Sequence, residues 1–487
     1  MTSHLATAPV VDDPTRDYGE KVAAVEPGGV EFIPLDERHG RPSQLLWTWA
    51  SPNLEFATVF VGVIGVLFFG LSFWMAALAI IIGTAAGSVT HGVLSTWGPK
   101  DGLPQMILGR TAFGFVGNLL PAGLMSLTAG IGWFAVNSVS GALALTTLTD
   151  MPKGLSLVII VAVQIAVAFF GHNLVHVFER LAFPFLTVVF VIAAIAVLGK
   201  AHPSAPAGGG LPTIGAFLIE VGAAFGYAAG WNPYASDYTR YLKSEISSRA
   251  VGIYAALGIF LSCAFLEIIG AASVTAVAKP SDNPTADFTG IMPTWIADLT
   301  LIAIALGAVS ANVLNIYSGA MSFIAMGFKL PFALRRAIVA LVFGAVGLAV
   351  AFSGLHDAGE KYENFLLVIA YWIAPWLGVV FVDRWLRRGT PIHPVIDDSE
   401  LRGSNEQVGA IAMLLGMAIS IWLFANQQFL TGWLASKHPA IGDIAFEVGF
   451  VVSALVYWAL WKLAASRPPR EYRVTPAQEQ STESASA

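Results

Sequence analysis

Apolar residues in this chain come in long uninterrupted runs. Phe56 to Ser95 and Leu301 to Gly327 carry no Asp, Glu, Lys or Arg. About 18 such residues suffice for a helix that crosses a bilayer. Twelve spans are expected, with cores near 42–73, 75–95, 118–145, 155–171, 177–198, 213–236, 250–276, 297–326, 332–353, 364–383, 408–426 and 444–464. The unequal lengths fit helices of unequal tilt. Residues 1–40 lack the basic start and short apolar core of a signal peptide. They and residues 467–487 read as disordered cytoplasmic tails, the first with a docking segment near Phe32.

Basic residues test this count. With both termini inside, the inner segments hold 21 Lys and Arg and the outer loops hold five: Lys153, Lys200, Lys279, Lys361 and Lys437. A bias of this sign is the positive-inside rule, and a miscount by one span would scramble it. On the inner side, Leu103 to Phe115 mixes apolar positions with Arg110 and suits a short interfacial helix. The outer loop 201–212, with Pro203, Pro206 and Gly208 to Gly210, reads as linker.

Two spans break their own pattern. Within span 6, Phe225 to Pro233 gathers two glycines, a proline, an asparagine and three aromatic rings. Breakers are tolerated at membrane depth only where the freed backbone faces protein or a cavity. Span 1 places Pro52, Asn53 and Glu55 between a Trp-rich segment and the apolar run from Phe56. The alternative there is that Pro52 simply starts a helix. The two breaks lie five spans apart on helices of opposite direction. That fits two inverted five-helix repeats, each with its first helix unwound at a mid-membrane binding site. The chain then divides into the tail 1–40, repeats at 41–200 and 201–390, two further spans at 391–466, and the tail 467–487.

Composition agrees. The chain has 487 residues, of which 56% are hydrophobic and 12% charged, against about 25% charged in soluble domains. The net charge of -6 resides mostly in tails and loops. A lone cysteine, Cys263, excludes an intramolecular disulfide and a multi-cysteine metal site, and reads as a small apolar helix residue. His-Glu-x-x-His, Gly-x-Ser-x-Gly and phosphate-loop motifs are missing. An intramembrane enzyme and ATP-driven transport within the chain are thereby disfavoured. A channel is a further rival, but a ligand-shaped face argues for a carrier.

That face is suggested by spans 3 and 8. Trp133 and Asn137 are four apart and share one side of a helix; Asn312 and Asn315 are three apart, with Ser318 and Gly319 on the same side. A flat ring beside an amide suits a planar, hydrogen-bonding ligand. The plainer alternative is interhelical hydrogen bonding. His172 and His176 have a metal-ligand spacing but read as a polar loop, and Asp237 with Arg240 reads as a local ion pair or gate contact. Glu220 and Glu267 lie in spans; a structural role is expected before a water path.

Several longer motifs keep a fixed order: Gly102-Leu-Pro-Gln before Arg110-Thr-Ala-Phe-Gly, Gly132-Trp-Phe-Ala-Val-Asn, Asn232-Pro-Tyr-Ala-Ser-Asp-Tyr-Thr-Arg-Tyr and Asn312-Val-Leu-Asn-Ile-Tyr-Ser-Gly. Over roughly 40 to 465 the chain resembles the purine–cytosine permease branch of the nucleobase:cation symporter-1 family. The resemblance implies an all-α integral membrane protein of twelve transmembrane helices: two inverted five-helix repeats of the leucine-transporter type plus two C-terminal helices. It implies import of a nucleobase or related heterocycle by cation symport. Trp133 would stack on the substrate, Asn137, Asn312 and Asn315 would bond its edges, and backbone near Gly226 would join them. For the second stacking ring Phe225 fits best by counting, with Tyr227 and Trp231 as rivals.

The family's cation site would fall on Asn53 and on Phe56 or Ala57, by backbone oxygen, and on Ser310 and Ala311 of span 8. Ala311 cannot supply the hydroxyl that sodium-coupled relatives often carry there. Glu55, an ionisable group at the break, can carry a proton. The reading is therefore proton symport, with sodium-coupled transport of a hydantoin, allantoin or vitamin as the alternative. No cofactor, no nucleic acid and no partner beyond substrate and lipid is expected. The expected form is a monomer in the cell membrane with both termini cytoplasmic.

Overall fold

The computed structural model describes residues 29–168, 172–205, 213–277, 280–281, 283–328, 335–355, 358–390, 392–393, 396, 408–427 and 429–465. The expected tails outside residue 29 and beyond 465, most of the 201–212 linker, and the side chains of His172 and His176 lie outside the described residues. Among those residues the protein is all-helical, with one isolated bridge between Asn426 and Thr431.

In order, the helices are α1 (Gln44–Ala50), α2 (Phe56–Leu67), α3 (Phe73–Ser95), α4 (Gly98–Asp101), α5 (Gln105–Leu108), α6 (Arg110–Gly117), α7 (Leu119–Leu127), α8 (Phe134–Thr149), α9 (Lys153–Ala168) and α10 (His172–Leu198). They continue with α11 (Thr213–Ala229), α12 (Ala235–Thr239), α13 (Ser248–Val274), α14 (Pro284–Gly290), α15 (Thr294–Ala325), α16 (Arg335–Gly354), α17 (Ala358–Leu386), α18 (Val408–Phe424), α19 (Trp433–Lys437) and α20 (Ala445–Ala465). Eight helical segments among the described residues are long and apolar enough to cross a membrane, nine with the bent pair α1–α2; α9, α16 and α18 contribute three shorter apolar stretches. Polar side chains start several helices. The Ser72 hydroxyl accepts from Met75 N–H, and Asn283 Oδ1 from Ala286 N–H.

Span 1 is broken where its sequence suggests. A 3-10 turn at Ser51–Asn53 follows α1, Glu55 is extended, and α2 leaves at 59° to the first segment. Span 6 differs from expectation. Phe225, Gly226 and Tyr227 all lie within regular α11, and the helix ends only at Ala229. The break is Gly230, Trp231 and a 3-10 turn at Asn232–Tyr234 before α12. Gly226 serves close packing instead. A methyl there would lie 2.5 Å from the Leu366 carbonyl oxygen of α17.

The α2, α3, α11 and α13 backbones meet almost directly. A methyl at Gly62 would come within 1.6 Å of the Glu267 carbonyl oxygen, and one at Gly270 within 1.8 Å of the Val59 carbonyl oxygen. Gly83 of α3 touches the Val221 carbonyl of α11 in the same way. Small residues bring membrane helices this close because lipid offers no hydrophobic drive to hold them apart or together.

The inner linker is a further correction. Leu103 to Phe115 forms not one surface helix but the end of a loop, α5 and most of α6, and Leu103, Met106, Ile107, Leu108, Ala112 and Phe113 are buried. Residues 29–40 pack against it: Ile33 N–H donates to Gly102 O, and Arg38 donates to Ile33 O and Pro99 O. Asp237 and Arg240 are electrostatic neighbours, as their spacing suggests, and each also has more distant hydrogen-bond partners. Asp237 accepts from Gln105 N–H, while Arg240 donates to the Gly29 and Glu31 carbonyls. His172 opens α10, so the histidine pair begins a helix and not a loop.

Candidate functional site

α8 and α15 cross where the amides face one another. Asn312 is the hub. Its Oδ1 accepts from Asn137 Nδ2 at 3.0 Å and Asn315 Nδ2 at 3.1 Å. Its Nδ2 donates to Phe134 O at 2.9 Å and Ser138 Oγ at 3.1 Å. Asn315 Oδ1 accepts from Tyr234 OH, on the span 6 break, at 2.6 Å. Gln164 of α9 extends the network, accepting from Ser138 and donating to Ala308 O. All three asparagines are buried. Buried amides without partners would be costly, and this arrangement supplies partners while leaving the cluster polar.

Trp133 closes a π-helical turn, Thr128–Trp133, between α7 and α8. Such turns often mark functional positions, because the extra residue re-aims a side chain. The indole meets Tyr227 edge to face, with centroids 5.3 Å apart, and Phe365 at 5.1 Å. Tyr227 is anchored in turn, its OH 2.6 Å from Thr58 Oγ1 of α2. Tyr227, Phe365 and, at 6.3 Å, Tyr362 thus surround the indole with edge-on rings.

The other span 6 rings lie elsewhere. Phe225 stacks on Phe446 of α20 at 4.4 Å, so the Trp133–Phe225 sandwich read from the sequence is not the arrangement found. Trp231 donates its Nε1–H to Asn53 Oδ1 at 2.8 Å, tying the two breaks together, and lies edge-on to Trp49.

At the span 1 break, Glu55 caps α2. Its Oε1 accepts Ala57 N–H at 2.7 Å and its Oε2 accepts Ser140 Oγ–H of α8 at 2.9 Å. The helix N-terminus favours a negative group there. The Asn53 carbonyl accepts from Thr58 Oγ1 and the Ala57 carbonyl from Tyr362 OH at 2.9 Å. Phe56 packs among Phe60 and Phe288. Ser310 donates to Glu179 Oε2 of α10 at 2.5 Å and sits 3.3 Å from Ser51 Oγ; Ala311 beside it is buried.

Glu179, Ser51, Ser140 and Thr58 are the residues that sequence reasoning passed over. Glu179 could have been found by the rule applied to Glu55, since it is an acid within an apolar helix. A cavity of about 160 Å³ adjoins the slot, lined by Phe56, Phe60, Val139, Ser140, Tyr362 and Phe365 among others. Tyr362 and Phe365 stand between it and Trp133.

This architecture has known counterparts. Residues 32–449 match the family of permeases for cytosine/purines, uracil, thiamine and allantoin. The purine-cytosine permease fcyB of Emericella nidulans is 28% identical over 456 residues, covering 90% of this chain and 88% of that one. The purine-cytosine permease FCY2 of Saccharomyces cerevisiae is 27% identical, covering 84% and 80%. Among solved structures, Mhp1, a nucleobase-cation-symport-1 family transporter in a closed conformation with bromovinylhydantoin bound, superposes with a TM-score of 0.72 at 18% identity, over 94% of this chain and 99% of that one. That likeness establishes the fold. This multi-pass membrane protein is a transporter, not an enzyme, and belongs to the cytosine/purine permease family, in its purine–cytosine permease branch.

Proposed function

We propose that this chain imports a nucleobase of the cytosine or purine type, or a related small heterocycle, by proton symport, alternating access around a mid-membrane site. One observation carries the reading. An aromatic face, Trp133 with Tyr227, lies beside the Asn137–Asn312–Asn315 cluster, and both touch the breaks of spans 1 and 6 through Thr58 and Tyr234. A ring system with donors and acceptors on its rim needs a flat apolar wall and a polar edge. Here the aromatic wall and the polar edge lie side by side.

Counting α9, α16 and α18 as spans brings the total to twelve, and the excess of basic residues on alternate segments supports termini on the cytoplasmic side. The two breaks support inverted five-helix repeats, with two helices added after them. For the cation, the break holds Asn53, Glu55, Phe56 and Ala57, facing Ser310 and Ala311. With no hydroxyl at 311 and a carboxylate at 55, the arrangement favours a proton. The carrier is read as a monomer.

Purified protein screened against cytosine, adenine, uracil, allantoin, hydantoins and vitamins should be stabilised by its substrate, because a ligand held only by the folded state raises the melting temperature. Uptake into proteoliposomes at mildly acidic and mildly alkaline outer pH, each with and without sodium, identifies the cation. Sodium-dependent uptake with no pH response would sink the proton reading. A panel in which only hydantoins or vitamins bind would replace the substrate class.

A further inference from the structure

Two carboxyl groups lie deep in the α2–α3–α11–α13 body. Glu220 of α11 and Glu267 of α13 are fully buried. Glu220 lies against α2 where that helix is bare: a methyl at Gly65 would sit 2.7 Å from its carboxyl carbon. Neither Glu220 oxygen has a hydrogen-bond partner; Glu267 accepts from Thr84 Oγ1 at 2.7 Å on one oxygen, and its other oxygen has none. Among the described residues neither has a lysine or arginine as an electrostatic neighbour. An unpaired charge held this deep costs several kcal/mol, so a proton on the pair removes a large penalty.

The pair also leads somewhere. Glu363, at the outer start of α17, and Glu267 are electrostatic neighbours of Glu220. Glu267 is an electrostatic neighbour of Tyr227, whose hydroxyl meets Thr58, which bonds the Asn53 carbonyl at the span 1 break. Along α2, Gly65 lies against the Glu220 carboxyl, Gly62 against the Glu267 main-chain carbonyl, and Thr58 against the Asn53 carbonyl at the break. Few titratable groups face the pair. α17 brings Tyr362 and Glu363, α13 brings Cys263, and α2 brings Glu55 at its inner end. α3 brings His91, farther inward against Trp49. α10 brings Glu179, held by Ser310, and α14 brings Asp287, held by Ser281. α1 and the Pro439–Ile441 turn bring none.

We propose that Glu220 and Glu267 form a proton-carrying pair that takes the coupling proton from the outer side and hands it toward the span 1 break. One outside proton converts one carboxylate of the pair to the acid; its transfer toward Tyr227 and Glu55 restores the carboxylate, and the proton leaves on the inner side with the substrate. The inference rests on the proton-symport reading above and locates the route that reading requires.

The test uses full-length protein in proteoliposomes with the base identified by the stability screen. One proton per substrate converts a gradient of about one pH unit into about tenfold accumulation. Glu220→Gln and Glu267→Gln should lose that accumulation yet keep base exchange in the absence of a gradient. Wild-type protein that accumulates no base under a pH gradient overturns the symport reading itself. Variants that accumulate like wild type overturn only the pair. Should a variant not fold, wild-type protein decides: a hydrophobic carbodiimide, which attacks protonated buried carboxyls, should modify Glu220 or Glu267 at mildly acidic pH, as read by peptide mass. No modification at either position refutes the proposal.

Discussion

Asn312→Ala tests the amide cluster most directly. The substitution removes four hydrogen bonds: two accepted, from Asn137 and Asn315, and two donated, to Phe134 O and Ser138. Within membranes such bonds average about 0.6 kcal/mol each, so their loss amounts to about 2.4 kcal/mol. Two buried amide donors are also left without their acceptor, and each adds about 1 kcal/mol or more. Asn315→Ala removes two bonds, one to Asn312 and one from Tyr234, for about 1.2 kcal/mol. Asn137→Ala removes the bond to Asn312, for about 0.6 kcal/mol. The expected order of destabilisation is therefore Asn312, then Asn315, then Asn137. Thermal unfolding midpoints of the three variants in one detergent give the order directly. Equal midpoints, or a reversed order, would refute the assignment of Asn312 as hub.

The slot and the packing give further tests. Tyr227→Leu should weaken base affinity at least as much as any change at the other two span 6 rings, whereas Phe225→Leu, which only unstacks Phe446, should leave it unchanged in a binding titration. Trp133→Phe should keep the fold and lower affinity, because the smaller ring covers less of the base; unaltered binding would place the site elsewhere. Gly62→Ala should abolish folded expression, since its methyl would overlap the Glu267 carbonyl, while Gly290→Ala, with nothing within 4 Å, should express normally. Size-exclusion profiles of the two alanine variants settle that comparison.

Spans were legible in the sequence because a bilayer forces every lipid-facing backbone group into a helix, so hydropathy alone marks the elements. The span 1 break was legible too, from Pro52 and Glu55. The span 6 break lies several residues later than the sequence suggests. Gly226 looks like a breaker, but it is a packing glycine against Leu366, and sequence does not distinguish a glycine that bends a helix from one that lets another helix approach. The stacking ring fell to the same limit. Phe225 and Tyr227 are two positions apart, about 200° around a helix, so only one faces Trp133, and the choice depends on which neighbours surround α11. Glu179 lies within an apolar helix, but nothing in the sequence pairs it with Ser310, 131 positions away. Some partners of Asp237 and Arg240, Gln105 and Gly29, lie more than a hundred positions away, beyond any local rule.

The glycine contacts between α2 and α13, and between α3 and α11, have a mechanical consequence. A seam padded by side chains can creep, because rotamers give way one at a time; a seam of main chain on main chain has no such compliance. Within each of these pairs the two helices must therefore move together, and a contact of the same kind ties span 8 to the span 1 break, where a methyl at Gly307 of α15 would lie 2.5 Å from the Leu54 carbonyl oxygen. Of the hydrogen bonds made by Asn137, Asn312 and Asn315, the one from Tyr234 joins α15 to the span 6 break, while Ser140 with Glu55 and Ser51 with Ser310 join α8 and α15 to the span 1 break.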